Sequence, residues 1–123
     1  MKFTLDRPAT PYLVRGYSPG LLRVGERELV RSVIVAADTL VDDWRPQRID
    51  ELTAADLETA LGLHPEVLLL GTGARQVFPP YELLARLYAA RIGIEVMDTG
   101  AACRTFNVLV GEGRAVAAAL IIA

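Results

Sequence analysis

The sequence predicts an α/β domain built on a mainly parallel sheet, with a β-hairpin at its side. Three observations carry that prediction. Two strand–loop–helix–strand units follow one another from residue 66 to residue 122, and such units imply right-handed crossovers between parallel strands. The run Glu66-Val-Leu-Leu-Leu70 is bulky and apolar without alternation, as a strand buried on both faces must be. Ahead of it, two β-type runs flank Gly25-Glu26, a glycine-first turn of the kind that closes a tight hairpin.

Taken in order, residues 1–20 hold Pro8, Pro11, Pro19, Gly16 and Gly20 among scattered apolar positions and read as an extended arm, anchored by Phe3, Tyr12 and Tyr17. The hairpin follows as Leu21–Val24 and a single second strand, Arg27–Val35, apolar on both faces from Val33 and therefore ending inside the sheet. Asp38–Arg48 is a polar connector containing Trp44, Pro46 and a short strand at Thr39–Val41. Thr53 and Asp56 have the spacing of a capping box, opening a helix from Ala54 to Leu61 that Gly62 closes. Pro79-Pro80 opens a second helix, with Leu83, Leu84, Leu87 and Tyr88 as its packing stripe and Glu82 and Arg86 paired four apart. Ile92–Met97 is the next strand. Asp98-Thr-Gly-Ala101 turns it into a third helix running to Val110, whose stripe is Ala102, Phe106, Leu109 and Val110, with Cys103 and Asn107 on the edge. Ala115–Ile122 is the final strand.

Bulk properties narrow the function. At 123 residues, 52% hydrophobic and 23% charged, the chain makes one domain, residues 1–123, with one core. Thirteen basic against fifteen acidic residues give a net charge of -2, without the basic stripe that nucleic acid demands. Asp6 and Arg7 interrupt any secretory signal, and the longest apolar run, Ala115–Ala123, falls well short of the ~20 residues a membrane helix needs, so a cytoplasmic protein without membrane insertion is expected. One cysteine, Cys103, and one histidine, His64, make neither a disulfide nor a Cys/His metal set, and no cofactor motif is present.

The residues that bear chemistry cluster in two loops. In a parallel sheet ligands bind beyond the C-terminal strand ends, where Gly71-Thr-Gly-Ala-Arg-Gln-Val-Phe-Pro-Pro80 and Asp98-Thr-Gly-Ala-Ala-Cys-Arg104 emerge. If their strands are neighbours, Gly71, Thr72, Gly73 and Arg75 meet Asp98, Thr99 and Arg104, and a helix start near Thr99 offers N–H groups to an anion. The same residues also serve purely local ends: Gly71 and Gly73 make a sharp turn, and Asp98 or Thr99 caps the helix. Gly71-Thr-Gly73 is no dinucleotide fingerprint, since Gln76 stands at the third glycine position. Cys103, early in its helix and beside Arg104, has the setting of a stabilised thiolate, but His64 belongs to a loop at the opposite end and supplies no base, and the residue also reads as a small half-buried cysteine that fills space. Asp42 and Asp43 point to opposite faces of an extended chain and make no acid/base pair. Trp44 and Phe78 read either as lids on the core or as anchors for a partner.

Leu68-Leu-Leu-Gly-Thr-Gly73, Phe78-Pro-Pro80, Gly93-Ile-Glu-Val-Met-Asp-Thr-Gly100 and Ala102-Cys-Arg-Thr-Phe-Asn107 together resemble a domain-of-unknown-function family, the MTH-type domains, that includes the mitochondrial respiratory complex I assembly factor three and the adipogenesis-associated MTH-type domain protein. The resemblance implies three layers around a mixed sheet of about five strands, one antiparallel to the rest. It also implies an assembly or interaction role, at least in the mitochondrial relatives; with no base, metal set or cofactor motif besides, a non-enzymatic module with a protein partner, as monomer or homodimer, is expected. The expected contact or ligand surface is then Gly71, Thr72, Gly73, Arg75, Phe78, Asp98, Thr99, Cys103, Arg104 and Asn107. The alternative is a small anionic ligand, or weak catalysis through Cys103, in the same loops.

Overall fold

A sheet apolar on both faces needs a covering layer on each side. The computed structural model, which describes residues 11–123, supplies both. An outer antiparallel sheet is formed by β1 (Val14–Ser18), β2 (Leu21–Val24) and β3 (Arg27–Leu29), with β2 in the middle. The main sheet contains β4 (Val33–Ala36), β5 (Thr39–Val41), β6 (Val67–Thr72), β7 (Gly93–Met97) and β8 (Val116–Ile121) in the order β5-β4-β8-β6-β7. β6 is parallel to both β7 and β8, whereas β4 is antiparallel to β5 and β8, so β4 alone opposes the other four.

Strand alternation divides the core in two. Leu68 and Leu70 of β6, Ile34 of β4 and Ala117 and Ala119 of β8 face the layer made by α1 (Ala54–Leu61) and α2 (Tyr81–Ala89), meeting Leu57, Leu84 and Leu87. Leu69, Val33, Val35, Ala118 and Leu120 face the other layer, where α3 (Thr99–Gly111) brings Ala102, Cys103 and Phe106 and the outer sheet brings Leu22, Val24 and Leu29. The mixed three-layer architecture with its flanking hairpin is therefore present.

Several local expectations need correction. The run Arg27–Val35 is two strands in two different sheets, because the chain leaves the outer sheet at Val30. Ser32 sends its N–H to Gln47 Oε1 at 3.1 Å and accepts from the Trp44 N–H at 2.9 Å, bonds a continuous ladder would have used. The part of the expected arm that lies within the described residues includes β1, paired along β2, with Tyr12 and Tyr17 against the core; Phe3 lies outside the described residues. The hairpin turn at Gly25-Glu26 falls where expected, Val24 opposing Arg27. Thr53 and Asp56 form a reciprocal capping box, and Arg45 grips the same Asp56 carboxylate from outside at 2.9 and 2.7 Å. Gly62 closes α1 as its C-cap, where expected, in a right-handed conformation, and His64, at φ 54°, turns the chain beyond it. Pro80 precedes α2 as its N-cap, and Tyr88, expected in the buried stripe, is exposed.

Trp44 is a core lid, 3% exposed, with its indole N–H donating to the Asp56 carbonyl at 3.0 Å. Asp42 and Asp43 diverge to separate partners, Arg27 and Arg31, at 2.7 and 3.0 Å. Arg27 holds the Asp42 carboxyl below its ordinary range.

Candidate functional site

β6 and β7 are hydrogen-bonded neighbours running the same way, so their C-terminal ends carry both loops to one rim. There the loops are tied together by a buried hydroxyl. Thr99 Oγ1 donates to the Ile121 carbonyl at 2.5 Å and accepts from the Gly73 N–H at 2.8 Å, and the Thr99 N–H returns to the Gly73 carbonyl at 2.9 Å. One residue, fully buried, thus clamps the ends of β6, β8 and α3. The glycines make this approach possible. A Cβ on Gly71 would stand 2.9 Å from Thr99 Oγ1 and 3.1 Å from its Cα, and Gly73 takes φ +102°, a conformation that L side chains rarely adopt.

Thr72 holds the next stretch: its hydroxyl donates to the Arg75 carbonyl at 2.5 Å and accepts from the Val77 N–H at 3.1 Å. Asp98 caps α3, with Oδ1 accepting from the Ala101 N–H at 2.9 Å. That carboxylate sits at the positive end of the helix dipole, where an anionic ligand would otherwise lie. The knot leaves Arg75 and Phe78 displayed on the surface, Phe78 at 69% exposure.

The two arginines of the expected site line separate hollows. Arg75, with Arg48, Thr72, Gly73 and Val77, borders one of about 220 Å³. Arg104 borders another of about 290 Å³, between β1 and α3, with Arg15, Tyr17, Gly100, Cys103 and Asn107. Asn107 spends its amide on β1, accepting from the Val14 N–H at 2.9 Å and donating to the Val14 carbonyl at 2.7 Å. Cys103 is 5% exposed. Burial pushes its thiol up to about 12; Arg104 opposes that rise and Asp98 adds to it. The setting expected to favour a thiolate therefore disfavours one, because lost hydration outweighs the neighbouring guanidinium. His64 lines a different hollow at the opposite rim, with Asp38 and Arg114.

Tyr17 is the residue that sequence reasoning left out of the site. The residue lines the Arg104 hollow; its hydroxyl is buried without a hydrogen-bond partner, and its pKa is raised by burial first and then by Cys103 and Asp98. An aromatic residue in a proline-rich arm carries no spacing signal that places it against a helix more than 80 residues further along the chain. Tyr81 and Tyr88 were also missed as a pair. They stack at 5.7 Å between ring centroids on α2, and both are exposed, as are Val77 and Phe78 shortly before them in the chain.

The three-layer core with its lone antiparallel strand has the fold of the Mth938-like α/β domains among solved structures. A Bordetella pertussis Mth938-like domain matches it with TM-score 0.84 and 33% identity, over 99% of this chain and 92% of its own. A Bordetella parapertussis protein matches with TM-score 0.86 and 41% identity, over 94% of this chain and 100% of its own. The chain belongs to the family described as protein of unknown function (DUF498/DUF598), whose profile matches residues 14–121. Relatives by sequence include the 13 kDa major membrane protein of Francisella tularensis, 29% identical over 121 residues, covering 94% of this chain and 95% of that protein. The NADH dehydrogenase (ubiquinone) 1 alpha subcomplex assembly factor 3 of Danio rerio is 34% identical over 111 residues, 89% of this chain but 63% of its own length. This chain therefore spans less than two-thirds of that assembly factor. Among the described residues, no helix is long and apolar enough to cross a membrane.

Proposed function

We propose that this chain is a non-enzymatic interaction module of the cytoplasm, an assembly factor for membrane or respiratory complexes that docks on a protein partner through the loop following β6. The observation that carries the reading is the surface left by the Thr72–Thr99 knot. Val77, Phe78, Tyr81 and Tyr88 are large, apolar and exposed in one stretch of chain, beside the exposed Arg75. Aromatic and arginine side chains on a rigid support are the residues that anchor protein interfaces. The assembly-factor relatives support the same reading. The test is affinity capture from the native host with wild type and with Arg75→Ala/Phe78→Ala, both folded. Loss of specific partners from the variant is expected, and identical partner sets would remove this surface from consideration.

A second reading draws on the hollow beside Arg104. Arg15 and Arg104 line the same hollow, and two guanidinium groups around one space support a small oxyanion held between them. The thiol of Cys103 takes no nucleophilic part in it, being held protonated. Titration with inorganic phosphate, followed through the Tyr17 and Gly100 resonances, is expected to saturate in wild type and to be lost in Arg104→Ala. A linear, unsaturating response in wild type would end this reading.

A further inference from the structure

The main sheet ends at β7, whose outer side faces no other strand among the described residues. The register shows which backbone groups are left there. Gly93 pairs with Val67 and sends its N–H inward to the Glu66 carbonyl, so Gly93, Glu95 and Met97 turn their backbone groups toward β6. Ile94 and Val96 turn theirs outward. One of these outward groups is already occupied: Gln76, on the exposed loop, donates its side-chain amide to the Val96 carbonyl at 2.9 Å. A primary amide there occupies the place a neighbouring strand's N–H would take.

The ground beside this edge is aromatic. Arg86 of α2 reaches α1 through Glu58 at 3.0 Å. At 3.6 residues per turn, Tyr81 and Tyr88 lie on the flank of α2 turned away from α1, the flank bordering β7. Ile94 and Val96 direct their side chains to this same layer, and Glu95 is exposed on the opposite face. Resting on the reading of the chain as an interaction module, we infer that the free edge of β7 receives an added strand from another protein: an extended segment with apolar residues toward Tyr81 and Tyr88 and a basic side chain opposite Glu95. Backbone pairing supplies the affinity and the alternating side chains the selectivity. A second copy of this chain is disfavoured, because Glu95 is the central residue of the five in β7 and a two-fold pairing centred on the strand sets it against itself.

The test uses the whole chain, isotope-labelled, with two synthetic heptapeptides as probes, one alternating Val with Lys and one alternating Val with Glu. At roughly millimolar concentration the Val/Lys peptide is expected to shift the Ile94 and Val96 amides and protect them from exchange, and to bind about five-fold more tightly than the Val/Glu peptide. Glu95→Lys reverses that preference. Gln76→Ala, which frees the Val96 carbonyl, strengthens binding, and Ile94→Pro, which removes an outward N–H at an edge where proline is tolerated, abolishes it. If Ile94→Pro fails to fold, Glu95→Lys decides alone. Amide shifts that map away from β7, an unchanged preference in Glu95→Lys, or no response at all would overturn the inference. Partners lost on changing Phe78, together with an unresponsive β7, would leave the module standing and the added strand refuted.

Discussion

Asn107 and Val14, 93 residues apart, exchange two hydrogen bonds, one in each direction. An amide side chain on α3 thereby imitates a neighbouring strand and pins β1, close to the irregular register between Val14 and Gly16. Asn107→Ala leaves both Val14 groups without a protein partner and is expected to cost about 1–2 kcal/mol in urea unfolding. Asn107→Asp keeps the acceptor but sets a carboxylate oxygen against the Val14 carbonyl, so it is expected to cost at least as much. In both, amide exchange should accelerate in β1 before it does in β6.

Thr99 offers a sharper test of the rim. Thr99→Val preserves the shape and removes the hydroxyl, leaving the Gly73 N–H and the Ile121 carbonyl short of a partner in a buried place. A loss of about 2–4 kcal/mol by chemical denaturation is expected. Thr99→Ser, which keeps the oxygen, should lose about 1 kcal/mol.

The thiol of Cys103 is expected to be inert while the domain is folded. Iodoacetamide labelling should stay slow at neutral pH and become fast on unfolding. The linkage follows from the direction of the shift: a thiol at its ordinary 9.0 in the unfolded chain and about 12 in the folded one contributes its full stability below pH 9, and that contribution falls away as pH rises toward 12. Cys103→Ser should flatten the alkaline limb of the stability curve across that window.

Asp56 makes the opposite prediction in acid. Arg45 depresses its pKa, burial opposes the effect, and Thr53 assists it. A depressed carboxyl stabilises the fold above its unfolded pKa of about 3.9, and the contribution disappears as pH falls through the lower folded value. Asp56→Asn is expected to cost about 1–3 kcal/mol near neutrality, in capping and in the charged bond to Arg45. The gap from wild type should narrow below about pH 4, as measured by denaturation at a series of pH values.

What the sequence made legible were features fixed by local chemistry or by doubly buried runs. Leu68–Leu70 and Val116–Ile121 have no polar alternation and so had to be central strands; Thr53 and Asp56 state their own cap. The meeting of the Thr72 and Thr99 turns followed once β6 and β7 were neighbours. The division between β3 and β4 was illegible because Val30-Arg-Ser32 contains no breaker, and its path is set by Trp44 and Gln47 much further along. For Cys103 the sequence left a space-filling residue and a stabilised thiolate both open for a related reason: neighbours in sequence supply a charge, Arg104, while the burial that decides for the former comes from the packing of α3 against the sheet and β1. The surface of Phe78, Tyr81 and Tyr88 was half visible, since a tyrosine at helical spacing reads as core until the helix has a known orientation.

The central position of β8 bears on how the molecule is made. β4 and β6 share no backbone ladder; each pairs with β8, which follows both in the chain. Until it arrives, the chain is two β fragments with unsatisfied edges and oily faces, the very surfaces on which nascent proteins aggregate. Completion of the fold is then a zipping of β8 into a waiting slot, with β4 and β8 recruited from more than 80 residues apart in sequence. Such distant closure makes for slow folding and leaves a period in which a chaperone has something to hold.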